Sequence, residues 1–523
     1  LAGCGATNAN DSNFLGYHAG RGAPSACNSN FSGWAAGCDA TNANDSNFLG
    51  RRAGRNATGA CYSNFLGNLA GRAATCACYS NFLGNLAGCD ATNANDSNFL
   101  GNRAGRNATG ANNSNFLGSL AGCGATNASN SNFLGSFAGY RAPNACNSNF
   151  MGNSAGSSNY YGNVNARHSN FMGYYAGYTY SGSLSADHSN FLGQNAGREA
   201  LLACHSTFIG RHAGCGAASA CNSNFLGYRA GDGAANANNS TFIGRRAGLN
   251  ATNASCSNFQ GLSAGLGATS AYRSNFLGSL AGRNATGANN SNFLGSNAGY
   301  NATSARDSNF LGYRAGCGAT SANNSNFLGS NAGFGATSAY RSNFLGSLAG
   351  RNATGANNSN FLGSLAGLNA TSASNTNFLG SLAGSSNYGN VNARHSNFLG
   401  NYAGYTYSGS LSADHSNFLG QNAGREALLA CHSTFIGRHA GCGATSACHS
   451  TFIGRHAGCG ATNASCSIAI GSCAIPTGPQ QFILGSSAYP LSVLPGDTIT
   501  SSVSVLRIGV NGQFFNLPLL AIP

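Results

Sequence analysis

Ser291 to Asp307 reads SNFLGSNAGYNATSARD, and nearly the whole chain is built from this unit. With its Ser as position 1, the pattern S-N-F-L-G-x-x-A-G-x-x-A-T-x-A-x-x returns 27 times from Ser12 to Ser467, usually 17 residues apart, with Thr376 once in place of Ser. Self-similarity at a short fixed period marks a solenoid, in which each repeat is a coil that buries its apolar face only by stacking on its neighbours. Length therefore does not count domains in this chain of 523 residues.

Within SNFLG successive side chains alternate across a strand, so Phe at position 3 faces one way while Asn and Leu at positions 2 and 4 face the other. Phe occupies 26 of the 27 copies, Ala469 being the exception, and Gly at position 5 occupies all of them. Position 4 is Leu, Ile or Met in most coils but accepts Ser32 and Gln260, which a site deep in a narrow roll would not take without cost. Phe is therefore expected inside, packed against the small Ala residues at positions 8, 12 and 15 of the return half, a volume match suited to a thin two-layer roll. The position 4 residues then form a long apolar stripe outside, and such a stripe is normally covered by a partner. Three rolls around one axis would hide three stripes at once, so a homotrimer is expected.

Gly makes up 77 residues without strict every-third spacing, which excludes a collagen triple helix, and a charged content of 7% is too low for a typical disordered polar chain. The basic residues are 25 Arg and no Lys against ten Asp and two Glu, a formal charge of +13. Spread over so many coils this reads as a weak field, serving solubility or adherence to anionic glycans or lipids. No apolar run approaches the roughly 20 residues that cross a bilayer, so neither a membrane span nor a nucleic-acid partner is expected. The opening LAGCGATNAN matches positions 7 to 16, so the numbered chain starts in mid-coil. Sequences such as Asn56-Ala57-Thr58 and Asn112-Asn113-Ser114 are glycan acceptors only if the chain passes through a secretory pathway.

The last coil, SIAIGSCAIPTGPQ from Ser467 to Gln480, is followed by QFILGSSA. Its 14-residue spacing and S-x-A-I-G core resemble the YadA-like head repeats of trimeric autotransporter adhesins. The SNFLGxxAG and STFIGxxAG coils are similar to related repeats in fibre proteins of phages, large viruses and bacterial surfaces. The resemblance covers nearly the whole chain and implies a trimeric, left-handed β-roll. In that family's pattern the residues aligned with positions 2 and 4 are apolar and buried, whereas position 2 here is nearly always Asn or Thr. The expected fold is thus all-β: a β-solenoid shaft over residues 1–485 and a small β cap or trimerisation tip over 486–523. In that tip SVSVLRIGV, Asn511-Gly512 and QFFNLPLL spell a hairpin.

Two coils are lengthened, through SSNYYGNVNARH (Ser157 to His168) and YTYSGSLSADH (Tyr178 to His188), and the pair returns near 385–415, 227 residues on. Insertions in a solenoid emerge from one face and often bind. Tyr160, Tyr161, Tyr178, Tyr180, Tyr388, Tyr405 and Tyr407 are therefore candidates for contact with a glycan or a neighbouring fibre.

Twenty Cys suggest an oxidising, extracellular or virion-surface setting. Eight fall at position 10 and eight at position 16, and five pairs lie eleven residues apart: Cys27 with Cys38, Cys78 with Cys89, Cys204 with Cys215, Cys431 with Cys442, and Cys448 with Cys459. Asp187 with Arg198 and Asp414 with Arg425 occupy the same two sites. Eleven residues is far from the 17 that bring the chain back over itself, so these pairs are expected to meet between neighbouring chains as disulfides. Free thiols, or bonds within a column such as Cys61 with Cys78, are the alternatives.

Three copies of CHSTFIGRHAGC, from Cys204, Cys431 and Cys448, hold two His each, seven residues apart. An extended strand between them spaces them by roughly 20 Å, too far for one metal. No catalytic triad, phosphate loop or paired carboxylates can be discerned, so no enzyme, cofactor or metal is expected. The function expected is that of a structural fibre or filament, viral or extracellular, that projects from a surface and mediates attachment. The alternative is a dedicated glycan- or ice-binding solenoid, the latter disfavoured by a single Thr per coil at position 13.

Overall fold

The computed structural model describes residues 47–60, 62–159 and 163–489, the stretches 13–22 and 30–38 with a few single residues near the N-terminus, and the strands Val505–Val510 and Gln513–Pro518. It divides into two units, Leu1–Asn352 and Ala353–Pro523. Both are β-solenoids, and the described residues contain no helix.

In the first unit the SNFLG segments form a parallel ladder from Asn13–Phe14 to Asn343–Leu345. Its register sets like on like, as in Phe48 against Phe65 and Asn98 against Asn115. The lengthened coils keep this register, with Asn149 against Asn170 and Asn170 against Asn190, because the extra residues form a second pair of strands, Asn163–Asn165 beside Ser183–Ser185. The return half of the coil contributes single bridges at position 13, Thr58 to Thr75 to Thr92 and onward. In the second unit the ladder runs from Asn360–Leu362 to Phe482–Leu484, where the step shortens to Ile468 against Phe482. Val505–Val510 and Gln513–Pro518 pair antiparallel, with Val510 opposite Gln513; Asn511 and Gly512, where the turn is expected, lie outside the described residues.

Phe is inside. Phe293 and Phe310 are 0% exposed, as are Ala298, Ala302 and Ala305 at positions 8, 12 and 15. The rings stack along the axis, with Phe276 and Phe293 centroids 4.7 Å apart and planes within 4°, and each buried ring stabilises its coil by about 2–3 kcal/mol. Burial of Phe leaves position 4 outside, as in Leu294 and Leu328.

Tight turns let the chain close a coil in so few residues. In the coil from Ser291, Asn297, Gly299, Asn301, Ser304 and Asp307 all have φ between 49° and 62°, a left-handed conformation that Gly, Asn and Asp adopt most readily. Two glycines are also demanded by space. A Cβ on Gly299 would lie 2.2 Å from the Phe293 ring, and one on Gly295 would lie 2.4 Å from the carbonyl oxygen of Gly312 in the next coil. Among the described residues no helix is long and apolar enough to cross a membrane.

Candidate interaction surface

The outer face of each ladder carries two parallel rows. At position 2 the Asn side chains form an amide ladder: Asn292 accepts from the Nδ2 of Asn275 at 2.8 Å and donates to Asn309 at 2.8 Å. Each amide is thus satisfied by its neighbours, and the row is polar without needing a partner. At position 4, Leu294 and Leu328 remain 37% exposed. From Asn81 to Ile209 the two rows border an open groove of about 1090 Å³, with Leu83, Leu100, Leu117 and Met151 along it.

The lengthened coils present Tyr180, Tyr388 and Tyr407 to solvent. Their backbone is held by the only two Glu of the chain: Glu199 accepts from the N–H of Tyr180 at 2.8 Å, and Glu426 from that of Tyr407 at 2.9 Å. Tyr405 is instead buried, 6% exposed, with its phenol oxygen accepting from Asn387 at 3.0 Å. It is a packing residue rather than a contact residue, because the chain turns back into the coil at that point. Tyr178 is half-buried, and desolvation, then Tyr175 and Glu199, push its phenol pKa up. Tyr160 and Tyr161 lie outside the described residues.

Cys27 likewise lies outside them. Cys78, Cys89, Cys204, Cys215, Cys431, Cys442, Cys448 and Cys459 are thiols in the single chain. The structure brings together same-site cysteines of successive coils. The N–H of Cys431 donates to Sγ of Cys448 at 3.3 Å, and Cys204 meets Cys221, as Cys442 meets Cys459. Members of the pairs eleven residues apart have different surroundings: Cys204 lies by Cys221 and Asp187, whereas Cys215 lies among Asp232, Arg198, Glu199 and Arg229. Cys89 is 1% exposed, and burial together with Asp90 pushes its thiol up to about 11. An interchain bond there requires the thiol to be uncovered. The charges follow the columns too. Asp187 pairs with Arg167, and Asp414 with Arg394, each at 3.0 Å, not with Arg198 and Arg425.

In the second unit the His residues separate into two stacks: His395, His415, His432 and His449 lie ring on ring at 4.8 to 4.9 Å, while His439 stacks on His456 at 4.7 Å. Among the described residues no group of three His, Cys, Asp or Glu is placed to hold a metal.

Position 1 is a structural site that the sequence reading passed over. Ser114 is buried, donates its hydroxyl to the carbonyl of Ala128 at 2.6 Å and accepts from the N–H of Ser131 at 3.0 Å. The signal was the persistence of a hydroxyl residue beside Phe in every coil, including Thr376. Neither any protein-family model nor any curated protein matches the chain.

Proposed function

We propose that this chain is a structural fibre or filament protein, viral or extracellular, in which left-handed β-rolls associate as a homotrimer, project from a surface and mediate attachment. The observation that carries the reading is the exposed apolar row at position 4, interrupted at Ser32 and Gln260, beside Asn side chains that satisfy one another. Its side chains recur at the strand spacing of about 4.8 Å. A second array with the same repeat meets every rung in the same way, so another copy of the chain is the partner that complements it throughout its length. The segment 486–523 closes the end of the shaft as a cap or trimerisation tip, since an uncapped solenoid leaves an apolar layer and a strand edge open. The role is mechanical and adhesive rather than enzymatic.

Sedimentation equilibrium of the full chain tests this. The native chain should sediment at three times the monomer mass, and Leu294→Asn, Leu311→Asn and Leu328→Asn together should weaken assembly while leaving the β signal in circular dichroism. A monomeric native chain would overturn the proposal. A glycan-binding role is favoured by the exposed Tyr180, Tyr388 and Tyr407 on the lengthened coils, and replacing the three by Ser would then abolish glycan capture without altering the sedimenting mass.

A further inference from the structure

The arginines are not spread evenly around the coil. Of the twenty in Leu1–Asn352, sixteen fall at positions 6, 7, 10 or 11, against four of the nine acidic residues, which leaves those positions at +12 and the rest of the unit at −1. The four positions occupy one place in the fold. They flank the buried Ala and Gly of positions 8 and 9 in the turn that leaves the ladder strand, as in Arg51, Arg52, Ala53, Gly54 and Arg55, where Arg51 is exposed and Arg52 and Arg55 are half-buried. Backbone bonds keep successive turns aligned: the N–H of Arg52 donates to the carbonyl of Trp34 at 2.9 Å, and that of Ala73 to Arg55 at 2.8 Å. The turns therefore stack at about 4.8 Å, below the Debye length of about 8 Å at physiological ionic strength, and their charges act together on a ligand lying along the edge. Folding thus collects into one basic edge the charge that composition alone suggests is diffuse.

Aromatic side chains on this edge support the guanidinium groups. Arg51 lies 4.4 Å over Trp34, and Tyr228 has Arg211 and Arg245 each at 5.9 Å. Acceptors are scarce: the Nε atoms of Arg55, Arg106, Arg283 and Arg351 are covered and have no hydrogen-bond partner among the described residues. Local compensation includes Arg72 with Asp90 at 3.6 Å and Arg229 with Asp232 at 2.7 Å.

We propose that this edge binds a linear anionic polysaccharide, sulfated or carboxylated, running parallel to the solenoid axis, with guanidinium groups meeting successive anionic groups. Arginine suits planar oxyanions because its donors form a rigid fork. A single-stranded nucleic acid is the less suitable ligand, since it needs open aromatic faces for its bases, and here guanidinium groups lie over the rings. The proposal deepens the attachment role by naming the ligand class and surface, and its test does not depend on the oligomeric state.

The test uses the full chain, heparin as probe and two sets of variants that remove equal charge. The edge set is Arg51→Gln, Arg211→Gln, Arg245→Gln and Arg246→Gln. The control set, Arg167→Gln, Arg273→Gln, Arg306→Gln and Arg341→Gln, lies at the other turn of the coil. Native protein should bind heparin with an affinity that falls steeply with salt. The edge set should weaken binding by about tenfold or more and flatten the salt dependence, and the control set should stay within about twofold of native. Should the edge set alter the circular dichroism, the exposed pair Arg103→Gln and Arg314→Gln serves in its place. Equal loss in both sets, or no heparin binding by the native chain at low salt, overturns the proposal. Tighter binding of single-stranded or duplex DNA than of heparin overturns the ligand class.

Discussion

Ser97 donates its backbone N–H to the hydroxyl oxygen of Ser80, one coil earlier, at 3.1 Å, while the Ser80 hydroxyl donates to the carbonyl of Ala94 across its own coil. One buried hydroxyl so ties the ladder strand to the return half and each coil to the next. Both partners are backbone groups shut away from water, so removing the hydroxyl leaves a buried acceptor and a buried donor unmet.

Ser291→Ala should therefore destabilise its coil locally by about 1–3 kcal/mol. It removes the donor to Ala305 at 2.6 Å and the acceptor for the N–H of Ser308 at 3.1 Å. Hydrogen exchange at the Ser308 amide should accelerate, and Ser291→Thr should keep the bond across the coil, since the Thr376 hydroxyl donates to the carbonyl of Ala393 in the same way. Unchanged exchange in the Ala variant would show that the hydroxyl is dispensable.

Two glycines with similar φ should respond in opposite ways. Gly299→Ala places a Cβ 2.2 Å from the Phe293 ring and should open the coil to proteolysis. Gly318 has φ 67° with nothing within 4 Å of a built Cβ, and the same site holds Asn301 at φ 53°. Gly318→Asn should leave the melting temperature unchanged within about a degree. A Gly299→Ala variant as protease-resistant as the native chain would contradict the packing of Phe against position 9.

Oxidation should join cysteines within a column first, because they already touch in one chain. With oxidised glutathione taking up the two electrons and two protons, peptide mapping is expected to recover Cys431 joined to Cys448. The denatured, unreduced chain should then run as a monomer. A multimer with Cys431 joined to Cys442 would establish interchain staples instead. The reaction should be slow at pH 8, since burial, then the neighbouring thiol, pushes Cys204 and Cys431 up to about 11, leaving about a thousandth as thiolate. Exposed Cys76, Cys256 and Cys466 should be alkylated ahead of them.

Acid should loosen the coils around His212 and His439. Burial lowers the pKa of both imidazoles, with His456 adding to the effect at His439, so the unfolded chain binds more protons than the folded one just below the ordinary His pKa of about 6.5. The stability from keeping these rings neutral is complete above that value and declines as pH falls through it toward the lower folded values. Limited proteolysis at pH 7.5 and pH 5 should show faster cleavage near His439 in acid, and His439→Asn should remove much of that difference.

Repetition by itself determined the coil and its stacking of like on like, because a 17-residue period offers one way to do so; it pointed to Phe inside, since only position 3 is uniformly large and apolar, whereas the resemblance pointed to positions 2 and 4, and the packing decided for Phe. The sequence also marked the hairpin at the end of the chain, where a β-rich run breaks at Asn511-Gly512. Asp187 takes the position 16 site only when counted back from Ser189, and the same count from Ser169 puts Arg167 in that column, so the ion pair within the column was open to a sequence reading. The tertiary structure alone decided that Tyr405 turns inward while Tyr407 does not, that the two Glu hold the inserted turns, and that positions 6, 7, 10 and 11 share one edge. Those outcomes depend on the left-handed residues that bend each turn, which recur at the same positions in successive coils but include Leu69, Arg103 and Phe137 as well as Asn and Gly, so residue type does not announce them. Charge that is dilute along the sequence becomes concentrated because stacking brings residues 17 apart to within about 4.8 Å.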